Sequence, residues 1–167
     1  MSFIQTIKSY NPTFWVANFL QIIERGAWFG VFSLLGLYLV ASTDEGGLGL
    51  SHIQKGNILA NVTAIQFFLP LFFGVIADRI GYKLSLIIAF VIIGVGYYLM
   101  GTVDSYWAIY LAFLFAAMGG SFFKPVASGI IARTTDEKTS TMGFGLFYLM
   151  ANIGGFFGPA FSSYLRT

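Results

Sequence analysis

Gln21-Ile22-Ile23-Glu24-Arg25-Gly26-Ala27-Trp28-Phe29-Gly30 is the stretch on which the reading of this chain turns. It lies inside an apolar run from about Phe14 to Val40. A helix crosses a bilayer with about 20 apolar residues at about 1.5 Å of rise each, so the run is long enough to span. Glu24 and Arg25 then fall near its middle. Each such charge costs about 2.5–3.5 kcal/mol at the centre of an inserted helix. The charges must therefore face a polar interior and find partners there. The expected partner for Glu24 is Lys124, the only other charge deep inside an apolar segment.

Composition points the same way. Of the 167 residues 57% are hydrophobic and only 10% charged, against about 25% charged in a soluble domain, which marks a polytopic membrane protein. The net charge of +2 is too small to argue for a nucleic-acid partner. Without cysteine, disulfides, thiol catalysis and thiolate metal sites are excluded, and a single histidine speaks against a histidine cage. The first apolar run is too long for a signal peptide and is read as a retained helix.

Five apolar segments follow one another, at about 14–40, 52–77, 84–101, 106–132 and 141–165. Ala41 to Leu50 is a polar loop broken by glycine, and Ser51-His52-Ile53-Gln54 has the spacing of a capping box. Asp78 to Lys83 reads as a tight charged turn, Asp104 or Ser105 as a cap, and Arg133 to Ser140 as a charged loop. Short connections make neighbours antiparallel. Lys8, Arg79, Lys83, Arg133 and Lys138 then share one side of the membrane, with Lys55 and Arg166 on the other. The positive-inside rule places the N-terminus and the Asp78–Lys83 turn in the cytoplasm, which implies the inner or plasma membrane.

Around the helix, Asn18, Gln21, Arg25 and Trp28 share one stripe, and Glu24 lies about 100° from Arg25, where it meets a different partner. Lys124 precedes Pro125, whose missing N–H leaves the Ser121 carbonyl without a helical donor. Asn57, Asn61 and Gln66 suit helix–helix hydrogen bonding or pore lining equally, and Gly119-Gly120 and Gly154-Gly155 suit close packing. No phosphate loop, nucleophile triad or carboxylate pair is present, so no enzyme activity, metal or cofactor is expected.

Gly74-Val75-Ile76-Ala77-Asp78-Arg79-Ile80-Gly81-Tyr82-Lys83 resembles the G-x-x-x-D-R-x-G-x-K/R motif of the major facilitator superfamily. The resemblance implies that Gly74, Asp78, Arg79, Gly81 and Lys83 form a conformational latch between domain halves. Three further stretches resemble proton-coupled oligopeptide transporters: Glu24-Arg25 with Trp28-Phe29-Gly30, Phe123-Lys124-Pro125, and Phe144 to Phe156 with its Asn152-Ile153-Gly154. That family's first glutamate is Gln21 here, its two tyrosines are Trp28 and Phe29, its next aromatic is Gly26, and its asparagine after Lys-Pro is Val126. Gly154-x-x-x-Gly158-Pro159 resembles instead the G-x-x-x-G-P motif of drug–proton antiporters.

The expectation is an all-α membrane protein. Residues 1–167 would be an incomplete N-terminal domain, about five transmembrane helices of a major facilitator six-helix bundle. The resemblance implies proton-driven uptake of di- or tripeptides, with a proton gradient in place of a cofactor. Glu24 and Lys124 would couple protons, Arg25 would hold a substrate carboxylate, and Trp28, Phe29, Asn152 and Gln21 would line the pocket. The implied partners are protons, a small-molecule or short-peptide substrate, the lipid bilayer and a missing C-terminal half. A drug–proton efflux antiporter and a non-transporting five-helix scaffold are the alternatives.

Overall fold

In the computed structural model, which describes residues 3–166, every regular element is a helix. They are α1 (Phe3–Ser9), α2 (Pro12–Tyr38), α3 (His52–Ile80), α4 (Tyr82–Met100), α5 (Tyr106–Thr134) and α6 (Ser140–Arg166), with a short 3-10 turn at Thr43–Glu45. The short α1 is not visible in the apolar pattern. It is separated from α2 by Tyr10 and Asn11, and Asn11 Oδ1 caps α2 by accepting the Phe14 N–H at 2.9 Å. Pro12 then takes the first turn, where its missing N–H removes no helical bond. The capping box at Ser51 forms as spaced: Ser51 Oγ accepts the Gln54 N–H and Gln54 Oε1 accepts the Ser51 N–H.

One expectation needs correction. The charged turn from Asp78 to Lys83 is one residue wide: α3 continues through Asp78 and Arg79 to Ile80, and α4 begins at Tyr82. Gly81 alone reverses the chain, at φ 87° and ψ 149°, a conformation open to glycine for want of a Cβ. Four helices, α3, α4, α5 and α6, are long and apolar enough to cross a membrane among the described residues. The first expected span is not one of them. At 27 residues α2 has the length, but Asn18, Gln21, Glu24 and Arg25 lower its apolarity.

Contacts divide the chain into two units, one holding residues up to Val31 and from Ala127 onward, the other Phe32–Val126. In the first unit α2 and α6 touch backbone to backbone. A Cβ built on Gly154 would stand 3.0 Å from Gly26 N and 3.1 Å from Arg25 Cβ, and would overlap the Ile22 carbonyl. One built on Gly158 would overlap the Gly26 carbonyl, and one on Gly30 would reach Gly158 O at 3.0 Å and Ser162 Cβ at 3.5 Å. Ile22, Gly26 and Gly30 thus meet Gly154, Gly158 and Ser162 in the same order, so the two segments run parallel. Small residues at four-residue spacing allow this approach, and in lipid the gain is van der Waals contact rather than water release.

The same unit has a tie at one end. Tyr10 stacks on Phe14 with ring centroids 4.0 Å apart, and its hydroxyl donates to the Thr139 carbonyl at 2.9 Å. Asp136 Oδ1 accepts from the N–H groups of Lys138 and Thr139 and from Thr139 Oγ1, which pins the start of α6.

In the second unit α5 packs on α3 and α4. A Cβ on Gly96 would lie 2.6 Å from the Ala116 backbone, and one on Gly119 would lie 2.8 Å from the Ala89 carbonyl. Against α3, Ser121 Oγ donates to the Gln66 carbonyl at 3.1 Å, and Phe73 stacks on Phe122 at 5.0 Å. Phe113, Phe123, Ile109 and Val126 form the buried core on α5.

Candidate functional site

The polar stripe of α2 is folded inward in the first unit. Asn18, Gln21, Glu24 and Trp28 are all buried, and the Glu24 side chain is only 2% exposed. Asn18 Nδ2 donates back to the Phe14 carbonyl at 2.9 Å, while Asn18 Oδ1 and Gln21 Oε1 meet no donor among the described residues. Glu24 and Arg25 bond to each other: Arg25 Nε donates to Oε2 and Nη2 to Oε1. The two charges were expected to meet different partners because adjacent helix positions point about 100° apart. The long arginine stem overcomes that angle, and its fork gives the carboxylate two parallel bonds. The pair is a neutral unit inside an apolar helix, which is the arrangement that makes a buried charge tolerable.

Around it, the Arg25 guanidinium lies 6.0 Å from the Phe29 ring centre. Phe29 is 42% exposed on its other side, and its ring is where a Cβ on Gly155 would come within 3.2 Å. Asn152 is exposed on α6. An open groove of about 410 Å³ beside the seam is walled by Ile22, Ile23, Val31, Phe157, Phe161 and Leu165, so its surface is apolar and holds no charge.

Lys124 belongs to the second unit, where its Nζ lies 5.3 Å from the Phe67 ring centre, a cation–π contact that shelters the ammonium. Gln66 is buried there too, with Nε2 unmatched among the described residues. Of the residues expected to form a latch, Gly74 lies within α3 and Asp78, Arg79, Gly81 and Lys83 lie at the α3–α4 corner. Asp78 Oδ1 accepts from the Tyr82 hydroxyl at 3.1 Å, and Asp78, Arg79 and Lys83 are exposed. Gly74 packs across to Pro125, where a Cβ would make an ordinary contact at 3.6 Å.

Sequence reasoning missed the role of Gly26 and Gly30. Gly26 stood out only as a departure from an aromatic position, yet the pair repeats at the same four-residue spacing as Gly154 and Gly158. That double spacing was the available signal. The Tyr10–Thr139 tie had no signal, since it joins residues 129 apart.

The description of the Major Facilitator Superfamily matches residues 15–166. The chain belongs to the Major Facilitator Superfamily. This major facilitator chain is 30% identical over 166 residues to a Na(+), Li(+), K(+)/H(+) antiporter of Planococcus maritimus, across 95% of the chain and 37% of the relative. Proteins named multidrug resistance protein MdtH are similar as well. That of Photorhabdus laumondii is 24% identical across 99% of the chain and 39% of its own length. That of Proteus mirabilis is 27% identical across 83% of the chain and 33% of its own length. The chain therefore spans a third to two fifths of the length of these relatives. No solved structure matches it. Membership of a family of membrane transporters, with four helices apolar enough to span, makes this an integral membrane protein.

Proposed function

We propose that the chain is the N-terminal part of a secondary transporter that exports its substrate in exchange for protons. The observation that carries this is the α2·α6 contact, where the Gly154-x-x-x-Gly158-Pro159 stretch that resembles the antiporter motif lies backbone to backbone against Gly26. The printed names of the relatives, a cation/proton antiporter and multidrug resistance proteins, favour the same direction. In this mechanism Glu24 is the proton-responsive carboxylate. A proton on Glu24 removes the charge that holds Arg25, and the freed guanidinium favours a different arrangement of the polar stripe. Gln21, Trp28, Phe29 and Asn152 would line the substrate path. The Gly74, Asp78, Arg79, Gly81 and Lys83 corner would latch this part to a second half, because alternating access needs two halves that rock about a central site.

A second reading, proton-driven uptake of di- or tripeptides, is favoured by the occurrence of both Glu24-Arg25 and Phe123-Lys124-Pro125 in the sequence. Lys124 would then exchange with Arg25 as the partner of Glu24, and Arg25 would take the peptide carboxylate.

Everted membrane vesicles carrying the full-length protein separate the two. Acidifying the vesicle interior should drive accumulation of a lipophilic organic cation, and a protonophore should abolish it. Proton-driven dipeptide transport in its place would overturn the export reading. The expected cytoplasmic N-terminus has its own test, since the chain offers no native thiol. An impermeant thiol reagent outside intact cells should label Glu45→Cys, exposed in the same loop, and spare Tyr82→Cys; the reverse labelling inverts the topology.

A further inference from the structure

Asn18, Gln21 and Glu24 stand at i, i+3 and i+6 on α2, with 1%, 7% and 3% of their surfaces exposed. Two of the three present an oxygen that meets no donor among the described residues, Asn18 Oδ1 and Gln21 Oε1. The Asn18 amide is oriented by its own bond: Nδ2 donates to the Phe14 carbonyl at 2.9 Å, and turning it over would set two oxygens against each other. The third residue brings a carboxylate whose charge is met by Arg25 on the same helix. The stripe therefore has a surplus of buried acceptors, and what it lacks is a donor or a positive charge.

We propose that Asn18 Oδ1, Gln21 Oε1 and the Glu24 carboxylate bind a small monovalent cation, which takes the place of Arg25 on Glu24. Oxygen ligands suit the hard alkali cations. No group of three histidine, cysteine, aspartate or glutamate residues that could hold a metal is present among the described residues, which leaves softer metals without ligands. One carboxylate balances one charge. Arg25 stays tethered to the helix, so a bound ion adds its own charge to the pair: a monovalent ion adds one and a divalent ion two, and the smaller addition costs less. The helix supplies the reach: three residues rise about 4.5 Å and step back about 60°, and side chains lean toward the N-terminus, so a released Glu24 carboxylate comes down toward Gln21 and Asn18. Cation arrival and Arg25 release are one event. The use of this site in transport rests on the exporter reading; the binding itself does not.

The test compares thermal unfolding of the purified full-length protein in sodium, lithium, potassium and choline chloride at equal ionic strength. A ligand that binds the folded state alone raises its melting temperature in a saturable way. We expect that rise with at least one alkali cation and not with choline. Gln21→Leu should keep wild-type melting in choline, because it removes an unmet acceptor, and should weaken the alkali cation by about tenfold or more. Equilibrium binding of radioactive sodium to the wild type gives the same answer without any variant. Identical melting in all four salts with no sodium bound would mean that water alone fills the stripe, and would overturn the proposal. So would an undiminished alkali response in both Gln21→Leu and Asn18→Leu. Proton-driven export without cation binding would sink this site and leave the exporter standing; cation binding without such export would do the reverse.

Discussion

In the first unit the α2·α6 seam sets glycine against glycine, Gly26 facing Gly154 and Gly158, whereas in the second the α4·α5 seam sets Gly96 against Ala116 and Gly119 against Ala89 and Ile93. A two-sided seam brings backbone onto backbone, so neither helix can rotate or slide without meeting a carbonyl. The consequence reaches the other side of α2. At about 100° per residue, Ile22, Gly26 and Gly30 occupy one arc and Asn18, Gln21, Glu24 and Trp28 another. The glycines set the rotation of α2, and the rotation sets where the buried charge pair stands. The α4·α5 seam is as close, with the Ala116 backbone 2.6 Å from a Cβ on Gly96, but the Glu24–Arg25 pair stands on α2 and not on the helices that this seam fixes.

The largest effect should come from the charge pair. Glu24→Gln strands Arg25, which is only 13% exposed, and should cost about 3–5 kcal/mol of stability, whereas Glu24→Gln with Arg25→Gln should be nearly neutral. In the second unit Lys124→Gln should cost about 0.5–2 kcal/mol, the value of its contact with Phe67. Unfolding in detergent of these proteins, together with Arg25→Gln and with Glu24→Gln combined with Lys124→Gln, gives both coupling energies. A Glu24 that couples more strongly in stability to Lys124 than to Arg25 would break the contrast.

Next come the glycines. Gly158→Ala should cost about 1–3 kcal/mol, as overpacking does, because its new methyl meets the Gly26 carbonyl and no side chain can yield. Gly26→Ala should be close to neutral, since its own Cβ faces Gly154 O at an ordinary 3.5 Å. Gly96→Ala should destabilise comparably, because its methyl would stand 2.6 Å from the Ala116 backbone, and Ala116→Gly should not rescue it, just as no change at Gly26 should rescue Gly158→Ala. Melting temperatures of the single and paired variants decide this.

Sequence patterning revealed the helices because apolar runs of spanning length are a global property, and the cap at Ser51 because its partners are three residues apart. It placed Glu24 and Arg25 inside a helix but not on each other. Nothing in the angular spacing of neighbours shows that an arginine stem will fold back. The width of the Gly81 corner escaped for a related reason: charged residues read as turn, yet Asp78 and Arg79 complete the last turn of α3. The tie from Tyr10 to Thr139 depends on tertiary approach alone, and no local pattern encodes it.

The smallest effect concerns that tie. Asp136 has its pKa lowered from the usual 3.8 by the Thr139 side-chain hydrogen bond first, then by the Thr139 and Lys138 amides. A carboxylate held low in the folded state stabilises it above the ordinary value, and the contribution is lost as pH falls through the lowered one. Amide protection at Thr139 and Ser140 should therefore hold steady from neutral pH down to about the ordinary carboxylate value and fall only below it. Tyr10 behaves oppositely. Burial first, and Asp136 second, raise its pKa above 10.0, so its bond to Thr139 should survive until pH passes well above that value. Loss of protection near neutral pH would show that the tie does not form.

The most direct measurement of the central claim, that α2 and α6 share a glycine seam, is a disulfide. A Cβ on Gly30 would stand 3.5 Å from Ser162 Cβ, within the range of about 3.5–4.5 Å that a disulfide bridges. With no native cysteine to compete, Gly30→Cys with Ser162→Cys should cross-link on mild oxidation in native membranes. Cleavage engineered in the Ala41–Leu50 loop would then leave the two pieces joined until reductant is added. A pair that stays reduced, with both thiols open to alkylation in folded protein, would contradict the seam and the placement of Glu24 and Arg25 built upon it.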